Sequence, residues 1–127
     1  MADTRFLDAA VARAIHDRQL AEHGGLVGVK DDGLLESAIA RPLNKLAYGE
    51  SDPFVLAAAY AYGVARNHPF ADGNKRTAWV LARLFLKLNN ISIAFDKADA
   101  IRTMLALTAG ELSEDAFAAW LRSHHRP

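Results

Sequence analysis

The run Asp52-Pro53-Phe54-Val55-Leu56-Ala57-Ala58-Ala59-Tyr60-Ala61-Tyr62-Gly63-Val64-Ala65-Arg66 decides the fold class. Asp52 is an N-cap side chain, and Pro53 stands at the first helical position, where its missing N–H has no intrahelical partner to lose. The helix this opens, to about Arg66, is apolar on every side. Such a helix has no face to show water and belongs at the centre of a bundle. A second apolar helix is predicted from about Asn74 to Leu88, carrying Trp79, Val80, Leu81, Leu84, Phe85, Leu86 and Leu88. Asn89-Asn90 ends it.

Outward from this pair, Asp8 caps a helix from Ala9 to about His23, with Val11, Ile15 and Leu20 inward and Gly24-Gly25 as the stop. Asp31 or Asp32 opens a short helix through about Arg41 that buries Leu34, Leu35, Ala38 and Ile39. Pro42 ends or kinks that helix, and Leu43 to Ser51 reads as an exposed connection. Two more helices fit Lys97 to about Ala109 and Glu114 to about Ser123, the last capped by Ser113. Ile91-Ser92-Ile93 is long enough only for an extended turn or a single strand, one that could pair with a partner's strand, and His124-His125 reads as a frayed tail. The sequence predicts an all-α, compact bundle of about six helices, a single domain over residues 1–127.

Composition narrows the chemistry. With 51% hydrophobic and 24% charged residues, wholesale disorder is excluded. The absence of cysteine removes disulfides, thiolate metal sites and a cysteine nucleophile. Fifteen basic residues against fifteen acidic ones argue against direct nucleic-acid binding as the main activity. No signal peptide and no bilayer-length apolar run is visible, so a soluble, cytoplasmic protein without membrane attachment is expected.

Between the two central helices lies Arg66-Asn67-His68-Pro69-Phe70-Ala71-Asp72-Gly73-Asn74-Lys75-Arg76-Thr77, far more polar than a plain connection requires. Charged groups at the ends of core helices cost desolvation unless a counter-charge binds there. Gly73-Asn74 precedes a helix start, whose free N–H groups and dipole attract anions. Lys75 and Arg76 oppose that dipole and so call for an anion, of which phosphate is the natural candidate. Asp72 beside a phosphate calls for a bridging divalent cation, and His68 is placed to act as general base toward a hydroxyl attacking phosphorus. Residues 66–87 hold five basic residues and one acidic residue, while the rest of the chain holds ten and fourteen. The zero total hides one concentrated positive site.

The segment His68-Pro69-Phe70-Ala71-Asp72-Gly73-Asn74-Lys75-Arg76 resembles the Fic signature, usually His-Pro-Phe-x-Asp/Glu-Gly-Asn-Gly-Arg, at seven of nine positions. Lys75 in place of the second glycine, followed by Thr77-Ala78, makes it similar to the Doc (death on curing) toxin branch in particular. The resemblance implies that His68 is the catalytic base, that Asp72 holds Mg2+, that Gly73 and Asn74 form the anion hole and that Arg76 binds the phosphates of ATP. Phe70 would anchor the loop in the core. Most Fic proteins transfer AMP, whereas Doc-type toxins resemble kinases that move the γ-phosphate onto a threonine of elongation factor Tu. Lys75 favours the kinase reading, because its side chain fills nucleotide space that glycine leaves open and its ammonium can draw in the terminal phosphate. The Fic autoinhibitory pattern Ser/Thr-x-x-x-Glu-Gly/Asn does not occur, so resemblance to Doc implies restraint by a separate antitoxin protein. A helical binding or scaffold module is the alternative outside enzymes, and it has no need of His68 and Asp72 around an anion site.

The remaining polar residues have plainer readings. His16 and His23 lack partners at ligand spacing and are assigned structural roles. Arg83 and Lys87, four apart, read as a solvated stripe. Arg66 stays open between binding helix-end carbonyls and serving the site. Target recognition is expected between Gly24 and Ser51.

Overall fold

The computed structural model describes residues 3–127. Its helices are α1 (Ala9–His23), α2 (Asp32–Ala47), α3 (Pro53–Asn67), α4 (Asn74–Leu88), α5 (Lys97–Ala109) and α6 (Glu114–Ser123). A two-residue strand β1 (Ser92–Ile93) pairs antiparallel with β2 (His125–Arg126), Ser92 opposite Arg126 and Ile93 opposite His125. The architecture is all-α, as the periodicity predicts.

Side-chain caps set most helix starts. Asp8, Asp31, Asp52, Asp96 and Ser113 each accept a backbone N–H from the first turn they precede. Helix α4 departs from this pattern, since Gly73 stands at its N-cap and offers no side chain.

Helix α3 is the axis of the bundle. Phe54, Leu56, Val64 and every residue from Ala57 to Ala61 are buried, and α2, α4, α5 and α6 all pack against it. Small residues let α2 come close, for a Cβ on Gly63 would lie 3.0 Å from the Cα of Ala38. Tyr60 is fully buried, and its hydroxyl donates to the Leu7 carbonyl at 3.0 Å and accepts the Leu7 N–H at 2.8 Å. That pair ties the N-terminal segment to the core. On α1 the fully buried positions are Ala12 and His16, while Val11, Ile15 and Leu20 are only half-buried.

Three sequence expectations are corrected. Pro42 neither ends α2 nor precedes a loop; it lies buried inside a helix that runs on to Ala47. Interior proline removes a hydrogen bond and crowds the preceding turn, a cost of about 3 kcal/mol. Here one carboxylate grips the helix on both sides of the proline: Glu114 of α6 takes Arg41 at 2.5 Å and Lys45 at 3.7 Å. The tail is not frayed either, because His125–Arg126 forms β2 and His124 Nδ1 lies 2.7 Å from the Trp120 carbonyl. Ile91-Ser92-Ile93 therefore finds its strand partner within the same chain. Arg83 is exposed as expected, yet its guanidinium lies 4.9 Å from the Phe95 ring centroid and 5.5 Å from that of Trp79.

Replacing Tyr60 with Phe leaves the Leu7 N–H and carbonyl unpaired in the core, and the expected loss is about 1–3 kcal/mol in urea unfolding. Burial pushes the Tyr60 hydroxyl up to about 12 from its usual 10. The native state then holds a proton that the unfolded state releases, so stability falls as pH climbs from 10 through about 12. Tyr60→Phe should abolish that part of the alkaline decline.

Candidate active site

Helices α3 and α4 are joined by residues 68–73, and each part of this turn is held by a separate contact. His68 takes the C-cap of α3 in the left-handed region, φ 50°, with its N–H on the Val64 carbonyl at 3.2 Å. Histidine tolerates that conformation better than branched residues do. The turn directs the exposed imidazole away from the end of a buried helix. Pro69 and Phe70 then dip back into the core, Phe70 with 1% of its surface exposed.

Asn74 closes the loop on itself. Its Oδ1 accepts the Phe70 N–H at 3.1 Å, and its Nδ2 donates to the Phe70 carbonyl at 3.0 Å. The Asn74 carboxamide is thus a brace for the loop, and its backbone N–H is what remains open toward an anion. Thr77 N–H is the first to bond within the helix, reaching the Gly73 carbonyl at 3.0 Å. Among the described residues the N–H groups of Asn74, Lys75 and Arg76 have no acceptor. Three open amides at the positive end of a helix make a place for an anion.

Gly73 has φ +78°, a conformation glycine adopts without penalty. The Asp72 carboxylate is exposed and turned back on the chain, with Oδ1 accepting the Gly73 N–H at 2.9 Å and Oδ2 3.4 Å from the Leu26 nitrogen. Among the described residues no three His, Cys, Asp or Glu side chains converge. A lone carboxylate does not make a zinc or calcium cage. It does suit Mg2+, which keeps waters and takes its other oxygens from a phosphate substrate.

Lys75 and Arg76 are exposed and share the wall of a cleft of about 280 Å³ with Trp79, Phe95, Lys97, Met104 and other α5 residues. His68 and Asp72 are not on that wall, and no hydrogen bond joins them to each other among the described residues. The site therefore has a basic, aromatic-lined cleft at the α4 start and the histidine at the α3 end of the turn.

Two neighbours went unrecognised in the sequence. The segment after α1 runs beside the loop, with Lys30 N–H on the Pro69 carbonyl at 2.8 Å and Ala71 N–H on the Gly28 carbonyl at 3.2 Å. A Cβ on Gly25 would lie 2.9 Å from Asp72 Oδ2, and its φ of +128° is a conformation that favours glycine at that approach. The second neighbour is His16, whose Nε2 lies 2.7 Å from the Asp72 carbonyl oxygen. A histidine in phase with the buried Ala12, four residues on, was the available signal, since a polar ring on a buried face must find a partner. Arg66 reaches across to α5, where its Nη1 donates to the Thr108 carbonyl at 3.0 Å. It binds a helix-end carbonyl, although not one of its own helix.

Comparison with known proteins bears on the family of the chain. The model of the Fic/DOC family matches residues 6–86, from the segment before α1 through most of α4. The chain is 38% identical over 110 residues to a protein of Escherichia phage P1 named protein kinase doc, covering 86% of each chain. It is 44% identical over 75 residues to a protein of Mycolicibacterium smegmatis named toxin Doc, covering 58% of each. The matched region holds the central helices together with the loop between them, and this chain belongs to the Fic/DOC family, among its Doc proteins.

Proposed function

We propose that this chain is the toxin of a toxin–antitoxin pair, a cytoplasmic protein kinase that uses Mg-ATP to phosphorylate a protein hydroxyl and so halts translation. A threonine of elongation factor Tu is the proposed acceptor. The observation that carries the reading is the uncapped start of α4, with three open amides, two cationic side chains and the His68 turn beside it. The likeness to a phage protein named as a protein kinase supports phosphoryl transfer in particular.

In this reading the ATP phosphates lie against the N–H groups of Asn74, Lys75 and Arg76, with the Lys75 and Arg76 side chains neutralising charge. The nucleoside extends into the cleft beside Trp79 and Phe95. Asp72 would hold Mg2+, which when bound offsets phosphate charge. His68 accepts the proton of the acceptor hydroxyl as its oxygen bonds to the γ-phosphorus. The bond from that phosphorus to the bridging oxygen breaks, and ADP leaves. Enzymes of this type gain most of their rate from positioning and electrostatics, which suits a site built from backbone amides and cations. The antitoxin acts in trans, consistent with a sequence that lacks the autoinhibitory pattern of other Fic proteins.

Translation extract incubated with the protein and ATP labelled at either the α- or the γ-phosphate decides the reaction. Label on protein from γ-labelled ATP alone is the expected result; label from α-labelled ATP alone means AMP transfer, and none from either sinks the enzyme reading. His68→Ala should slow transfer about 10²–10⁴-fold with an unchanged circular dichroism spectrum. Substantial surviving activity would place the base elsewhere. Lys75→Gly should weaken γ-transfer about 10–100-fold through the loss of a charge-assisted contact, measured as kcat/KM for ATP. Unchanged kinetics would remove Lys75 from the choice between kinase and AMP transfer.

A further inference from the structure

His16 has 1% of its surface exposed, and its ring meets the turn before α4 at Phe70, Asp72 and Gly73. The imidazole stacks on Phe70 with centroids 3.8 Å apart and planes 6° apart. Its Nε2 lies 2.7 Å from the Asp72 carbonyl oxygen. A Cβ on Gly73 would meet its Cδ2 at 3.6 Å. On the far side Nδ1 is 4.0 Å from the Asp17 carboxylate, which is on the surface. A carbonyl oxygen only accepts, so Nε2 carries the proton.

The Asp72 carbonyl and the Gly73 N–H belong to one planar trans peptide and point in opposite directions. When His16 draws the carbonyl inward, the N–H is sent outward, where Asp72 Oδ1 takes it at 2.9 Å. Glycine at 73 makes rotation of this peptide cheap, since both signs of φ are open to it. Something other than the backbone's own preference must hold one orientation. Phe70 stacking can fix the ring, but of the imidazole's contacts only the Nε2–H acts on the peptide, from the buried side opposite the exposed Asp72 carboxylate.

We infer that His16 is a positioning residue for the anion-binding loop: its Nε2–H holds the 72–73 peptide in the one orientation that aims the Asp72 carboxylate and opens the α4 amides. The inference rests on the proposed reading of that loop as a phosphoryl-transfer site. It separates two parts of the imidazole, the ring that packs and the N–H that orients.

Two substitutions part them. His16→Phe keeps the ring and its stacking on Phe70 but has no donor. His16→Gln gives up the ring and keeps a side-chain N–H at similar reach. A flipped peptide withdraws part of the population from the binding-competent state, so His16→Phe should raise KM for ATP about tenfold with kcat little changed. His16→Gln should restore KM toward the wild-type value even if it unfolds at a lower temperature. The reverse ranking, with Phe like wild type and Gln impaired, would show that the ring only fills space and would overturn the inference.

A readout without catalysis keeps this test separate from that of the proposed function. In ¹⁵N NMR of the free protein, neutral His16 should carry its proton on Nε2. The Gly73 amide resonance should be single in wild type and His16→Gln, and broadened or doubled in His16→Phe. If the wild-type protein transfers no phosphate, the proposed function fails while these spectra still decide the role of His16. A ring protonated on Nδ1 and not on Nε2 in wild type overturns the inference whether or not the variants fold.

Discussion

A helix buried on every side constrains everything packed around it. Helix α3 has almost no surface for water, so four other helices must cover it, and small residues such as Gly63 and Ala38 let one of them approach at backbone distance. A chain leaving such a helix emerges from the middle of the molecule rather than from its rim. Its next residues must either continue the core or turn sharply out of it. The segment 68–73 does both, with His68 turned out in the left-handed region and Phe70 returned to the interior.

That emergence explains why a short polar loop can be rigid. Asn74 pairs with both backbone groups of Phe70, the 28–30 segment bonds to Pro69 and Ala71, and His16 meets the Asp72 carbonyl from below. None of these restraints uses the N–H groups that open α4. A helix start capped by its own side chain, as the other five are, would already have spent its attraction for an anion. Leaving α4 uncapped costs some helix stability and preserves a site where positive charge collects. Lys75 and Arg76 sharpen it further. The even balance of charge over the chain is thus the sum of a focused cationic segment and a mildly acidic body.

Periodicity and caps were legible residue by residue. Asp8, Asp52 and Ser113 mark helix starts because capping acts over three positions, and nothing distant is needed to satisfy it. Pro42 misled for the opposite reason. Its local penalty is real, but Glu114, 73 residues beyond Arg41, binds Arg41 and Lys45 across it. The short β-pairing of 92–93 with 125–126 was equally invisible, since two residues carry no pattern and the partner lies at the far end of the chain.

The same division runs through the site. By itself the sequence determined that the central helices are buried, that the turn between them is charged, and that His68, Asp72, Gly73, Lys75 and Arg76 sit together along it, because apolar spacing and turn chemistry act between near neighbours. Only the tertiary structure decided how those groups are aimed. It made the Asn74 side chain a brace for the loop, brought Gly25 and Leu26 over the Asp72 carboxylate, and turned His16 from a core histidine into the partner of the Asp72 carbonyl. Orientation of a peptide plane is set by whatever lies across from it in space, and for this loop that is helix α1, fifty-six residues earlier in the chain.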